Sequence, residues 1–232
     1  MRVAVYHQTI PPNNKNPEKP ALLNNFAQGV RAVGDKVIDV RDNQIAPSDV
    51  GVIQGWVTIP GRPHLMLRQT VIENSPYTVS ADSNLFLYNN ILNPGNYLRY
   101  SFNGVFPNTG IYCDDKPNPE RWRQISRDLK LTVKDWRTNG NHILICLQRN
   151  GGWSMGTQNV VEWAEAVIGN IRKYTDRPIV VRAHPGDKKS QQYLTGKPWT
   201  ISNDGRPLTE DLKNCWAVIN HNSSAVVGAA IE

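Results

Sequence analysis

Three short segments in the second half of the sequence place charged and hydroxylated side chains directly after apolar runs. The first, Gln148–Thr157 (QRNGGWSMGT), carries Arg149, the pair Gly151 and Gly152, and the hydroxyls of Ser154 and Thr157. Glycines let backbone amides approach a ligand closely, and free N–H groups at the start of a helix favour an anion. The second, Arg182–Lys188 (RAHPGDK), sets Arg182, His184 and Lys188 around a Pro-Gly corner. A guanidinium can clamp a phosphate through two hydrogen bonds, and an imidazole can bond a phosphate or a sugar hydroxyl. The third, Asn220–Ser224 (NHNSS), offers His221, Asn222, Ser223 and Ser224 ahead of a run of small residues. Together these side chains read as a site for a phosphate-bearing ligand. Each segment also has a plainer reading: a capped βα turn, a Pro-Gly turn, and a helix cap from Asn222 or Ser223.

The first half supplies two candidates for proton transfer. His7 directly follows the apolar run Arg2–Tyr6, and Asp82 follows Tyr77–Ala81. A histidine or carboxylate at a strand end can deprotonate an attacking hydroxyl. A loop histidine and an Asp-Ser-Asn turn fit the same residues. Trp56 can stack on a sugar or a base, or lie partly in the core. Other chemistries lack their residues. Cys113, Cys146 and Cys215 are odd in number and have no short spacing, against a disulfide framework or a zinc knuckle. Cys146, inside an apolar run, reads as a small core residue. The carboxylate pair Asp114-Asp115 lies in an irregular stretch, and no metal site is expected. No Walker phosphate loop occurs.

Strands and helices must position these segments. Arg2–Tyr6, Lys36–Val40, Asp49–Trp56 and Tyr77–Ala81 read as strands, and Ala21–Val33 and His64–Asn74 as helices. Gly34 and Asp35 end the first helix. Residues 82–120, rich in Asn, Pro, Gly and Tyr, read as long loops with short elements. A helix is expected over Glu120–Trp136. Strands then follow at Ile143–Leu147, Pro178–Val181, Trp199–Ser202 and Trp216–Asn220, with helices at Asn159–Tyr174, Pro207–Cys215 and Ser223–Glu232. This alternation predicts an α/β protein of two Rossmann-like units facing a cleft, residues 1–135 and 136–232. Ligands of open parallel sheets bind beyond the carboxyl ends of the strands, where all three polar segments fall. The last helix carries no stop signal, so the second unit is expected to be cut short at Glu232.

A strand followed by His184-Pro185, then a strand followed by Ser223-Ser224 with a glycine four residues on, resembles the C-terminal half of GT-B glycosyltransferases. The resemblance covers residues 142–232 and is nearest to the capsule-polysaccharide and Kdo-transferase-like group. It implies a nucleotide-sugar substrate, with no further cofactor, held by the second unit. His184 and Pro185 then correspond to the His-Pro motif, and Ser223 and Ser224 to hydroxyls near the donor phosphates. The first unit would serve the acceptor, with His7 or Asp82 as base. GT-B enzymes often hold the ribose through a glutamate inside this last helix, whereas this sequence offers only Glu232.

The resemblance implies metal-independent sugar transfer to a hydroxyl, with hydrogen-bond donors stabilising the departing diphosphate. The acceptor is a glycan precursor or, given the net charge of +6 and pI near 9.3, a hydroxylated base in DNA. A non-catalytic glycan- or nucleic-acid-binding module, or a nucleotide-sugar epimerase, fits the same fold. The chain has 232 residues, 39% of them apolar and 20% charged, an ordinary globular balance. No apolar run approaches a membrane span and the N-terminus lacks a signal peptide, so a cytoplasmic location is expected.

Overall fold

The computed structural model describes residues 1–10, 18–84, 98–105, 116, 118–202 and 205–232. The chain divides into two compact units, with the boundary between Ile125 and Ser126. No helix among the described residues is long and apolar enough to cross a membrane.

The first unit holds strands β1 (Arg2–Tyr6), β2 (Lys36–Val40), β3 (Val50–Gln54), β4 (Tyr77–Asn84) and β5 (Leu98–Phe102). They form one sheet in the order β2-β1-β3-β4-β5, parallel except for the antiparallel β4–β5 pair. Alternation along β1 explains why its run is almost wholly apolar. Val3 and Val5 face Leu23 and Ala27 of α1 (Glu18–Ala32), while Ala4 and Tyr6 pack with Val71 of α2 (Met66–Asn74). A strand covered on both faces has no polar side to show. Trp56 packs, partly buried, against this second face.

The helix α1 ends as expected at Gly34. Its φ of +87° lets Asp35 N–H reach Val30 C=O and Gly34 N–H reach Arg31 C=O, closing a Schellman motif. The 82–120 stretch is more regular than its composition suggests. β4 runs on to Asn84, and β5 pairs with it, matching Ala81 to Tyr100 and Asp82 to Arg99. Cys113 and the Asp114-Asp115 pair lie outside the described residues.

Helix α3 (Pro119–Asp128) stops eight residues before the expected Trp136. Lys130 takes φ +53°, and the amides of Lys130 and Leu131 bond the carbonyls of Arg127 and Ser126, again a Schellman stop. Beyond it the chain has no regular structure, and Lys134 N–H bonds Ile231 C=O.

The second unit orders β6 (His142–Cys146), β7 (Ile179–Arg182), β8 (Thr200–Ser202) and β9 (Cys215–Asn220) as β8-β7-β6-β9, all parallel. Ile143, Ile145 and Leu147 pack against α4 (Val160–Ile171) on one face. Leu144 and Cys146 pack on the other against Leu212 of α6 (Leu208–Leu212) and Ala225 of α7 (Ala225–Ile231). A short helix α5 (Ser190–Leu194), absent from the sequence reading, joins β7 to β8. The order reverses at β6: β7 lies on one side and β9 on the other. Ligands of open parallel sheets bind beyond the carboxyl ends of the strands at such a reversal.

Candidate functional site

The three polar segments fall at the carboxyl ends of β6, β7 and β9, and side chains bind them into one cluster. Gln148, buried at the end of β6, donates its Nε2 to Asn222 Oδ1 in the loop after β9. Asn222 Nδ2 in turn donates to the Ser154 carbonyl at 3.1 Å. The loops after β6 and β9 are thus joined through Asn222. The His221 ring, exposed, meets Trp163 of α4 edge to face with centroids 5.9 Å apart.

Asp187 makes the matching link between the loops after β6 and β7. It is buried and accepts from Asn150 N–H at 2.9 Å, Lys189 N–H at 3.1 Å and the Tyr193 hydroxyl at 2.5 Å. Asn150 Oδ1 accepts from Val160 N–H at 3.2 Å, so the link continues into the first turn of α4. Burial raises the carboxyl pKa of Asp187, but the three hydrogen bonds and the charge of Arg149 outweigh it and hold the group below its ordinary value. Tyr193 shifts the opposite way, pushed up by burial and by donating to this carboxylate.

The glycine pair is needed where it stands. Gly151 has φ +67°, and a Cβ on Gly152 would lie 2.9 Å from the Arg149 carbonyl. Arg149 and Lys188 are exposed at the rim of these loops.

Arg182 is the last residue of β7 and points its guanidinium inward. Nη1 donates to Asp211 at 2.5 Å and Nη2 to the Arg206 carbonyl at 2.7 Å. Asp211 is buried and also accepts from Ser202 at 2.6 Å and pairs with Arg206 Nε at 3.3 Å. Arg182 therefore ties β7 to β8 and α6, and a phosphate would compete with Asp211 for it. Ser223 Oγ accepts from Ala225 N–H at 3.3 Å, and Ser223 N–H donates to Asn220 Oδ1 at 3.0 Å. That is helix-start bonding. Ser224, half-buried, is the residue before α7.

In the first unit His7 opens a 3-10 turn, His7–Thr9, at the end of β1. Its Nε2 lies 2.9 Å from Asp39 Oδ1 on β2, and the other oxygen of Asp39 accepts from Arg31 of α1. The turn is pinned from below. Arg68 donates to the Thr9 carbonyl at 2.6 Å and to the Gln54 carbonyl at 2.7 Å, while Thr9 Oγ1 accepts from Gln54 N–H at 2.9 Å. A carboxylate that holds one imidazole nitrogen leaves the other to take a proton. Asp82 instead pairs with Arg99 across β4 and β5 at 3.0 Å.

Asp39 and Asp211 escaped the sequence reading; Gln148 was read only as the first residue of its loop, Trp163 only within the helix Asn159–Tyr174, and Asp187 only as part of a turn. A charge inside the strand Lys36–Val40 was the one visible signal for Asp39. Among the described residues, no three His, Cys, Asp or Glu side chains gather closely enough to hold a metal ion.

No family model matches the sequence, and no curated protein matches it. The fold is similar to a solved structure, KpsC of Thermosulfurimonas dismutans, a beta Kdo 2,4 transferase. The TM-score is 0.59 at 11% identity, over the whole of this chain and 77% of that one. The likeness is one of fold: α/β units, one built on a parallel sheet and one on a sheet parallel but for its last pair.

Proposed function

We propose that the protein is a glycosyltransferase that binds a nucleotide-sugar at the carboxyl ends of β6, β7 and β9. The observation that carries this reading is the joining of three polar loops at the switch point of a parallel sheet, through Asp187 and Asn222. Loops held rigidly at that position are the usual ligand site of open α/β sheets. The fold likeness to a Kdo transferase supports sugar transfer as the chemistry.

In this reading Arg149, Lys188 and the amides around Gly151 and Gly152 meet the phosphate charge, with His184, His221 and Asn222 beside them. An acceptor hydroxyl attacks the anomeric carbon, the bond from that carbon to the phosphate oxygen breaks, and the nucleotide leaves with the electron pair. His7 takes the acceptor proton, and Asp39 orients its ring and stabilises the imidazolium that forms. Positioned donors, not a metal, stabilise the leaving group. The acceptor is a glycan precursor.

Chemical-shift titration of the full chain with a panel of nucleoside phosphates tests the donor site. Shifts centred on Arg149–Ser154 and His184–Lys188 are expected. No perturbation of these loops by any member of the panel would end the proposal.

A further inference from the structure

His184, Pro185, Gly186 and Asp187 form one tight turn. Asp187 N–H bonds the His184 carbonyl at 2.9 Å, with Pro185 in the second position and Gly186 in the third. Within the turn, Gly186 N–H donates to Nδ1 of the His184 ring at 3.0 Å. The imidazole thus plays the part an Asn or Asp side chain plays in an Asx-turn. The glycine allows it: a Cβ on residue 186 would stand 3.2 Å from both Cε1 and Nδ1 of the ring.

We propose that the Gly186 amide fixes His184 as the tautomer protonated on Nε2, so that the ring meets a ligand oxygen as an uncharged hydrogen-bond donor. A nitrogen that accepts a hydrogen bond must carry its lone pair, which leaves the proton of the neutral ring on Nε2. Among the described residues no group hydrogen-bonds that nitrogen. Two charged groups act on the ring. Asp187 favours a second proton, but its carboxylate is already shared among Asn150, Lys189 and Tyr193; Arg149 disfavours one. Burial disfavours it most, and the pKa of His184 is lowered. A neutral donor stays available across neutral pH, and it suits a phosphate, a carboxylate or a hydroxyl oxygen. The step from tautomer to ligand rests on the proposed donor site; the tautomer itself does not.

Long-range proton–nitrogen correlation spectra of the five histidine rings in the unliganded full chain test the first step, with His184 assigned by its loss in His184→Gln. At pH 7 the ring is expected to be neutral, with its proton on Nε2 alone, and Gly186→Ala is expected to give a mixture of tautomers. A wild-type ring protonated on Nδ1, or on both nitrogens, overturns the proposal, and this spectrum decides even if the alanine variant fails to fold. Nucleoside diphosphates then probe the second step. His184→Gln, which keeps a neutral N–H, should bind within about threefold of wild type, and His184→Ala about tenfold more weakly. Glutamine as weak as alanine would overturn the donor role. Absence of any nucleotide binding by the wild type would instead count against the donor site, with the spectrum still deciding the tautomer.

Discussion

The carboxylate of Asp187, in the turn after β7, accepts a hydrogen bond at 2.9 Å from the backbone amide of Asn150, in the loop after β6. One buried side chain thereby holds two loops in register. Asp187→Ala would leave the Asn150 and Lys189 amides and the Tyr193 hydroxyl without their acceptor, at a cost of about 2–3 kcal/mol. Urea unfolding measures that cost. Hydrogen exchange at the Asn150 amide should quicken in the same variant.

The same carboxylate makes stability depend on pH. Its folded pKa lies below the ordinary value, so its contribution is complete above the ordinary carboxylate range. It is lost as pH falls through the depressed folded value. Asp187→Asn should therefore lower the midpoint near neutrality and flatten the acid limb of a stability–pH curve. An acid limb as steep as that of wild type would contradict this.

His7 and Asp39 make a separable prediction in the first unit. Removing a general base lowers turnover by roughly 10²–10⁴-fold. On the proposed mechanism His7→Ala should lose that much sugar transfer, and losing the bond to Asp39 should also lower the thermal midpoint. Asp39→Asn should lose less, mainly in turnover, because the ring stays but its orienting charge goes. Asp82→Asn should act on stability instead, through the Arg99 pair.

Arg182 and Asp211 should behave as a coupled pair. Asp211→Ala leaves Arg182 and Arg206 without their shared acceptor and should cost about 3–5 kcal/mol. Arg182→Ala should cost less, since Arg206 and Ser202 still meet the carboxylate. The double variant should lose less than the sum of the two. Strict additivity in the unfolding cycle would show that the bond carries no coupling.

Two glycines should respond differently to alanine. A Cβ on Gly140 would sit 2.2 Å from Trp216 Cα, against backbone that has no room to move, and should cost about 3 kcal/mol. Gly151 has open space but φ +67°, so its alanine should cost only about 1 kcal/mol. Chemical denaturation of the two variants compares them directly.

Where a signal was local, the sequence reading located it. The all-apolar runs of β1 and β6 announce strands buried on both faces, and Gly34 announces the end of α1. The helix α3 ends by the same Schellman bonds, but at Lys130 in place of a glycine, and the expected helix overran to Trp136. Strand β5 depends on pairing with β4, a contact made by the fold and not by the composition of residues 82–120. The placement of the three polar loops at the strand ends was legible because polar residues cluster after apolar runs. The partners that lock them were not: Gln148 reaches Asn222 and Arg182 reaches Asp211 only once β9 and α6 are in place.

The place of β6 between β7 and β9 has a consequence for biosynthesis. Residues 147–214 separate β6 from β9, so β6 leaves the ribosome long before the strand that completes its second edge. Until Cys215–Asn220 emerges, an apolar strand shows an open backbone edge on which another nascent chain can add. Ribosomes stalled before residue 215 should therefore display chains that aggregate or recruit chaperones, and the released chain should not.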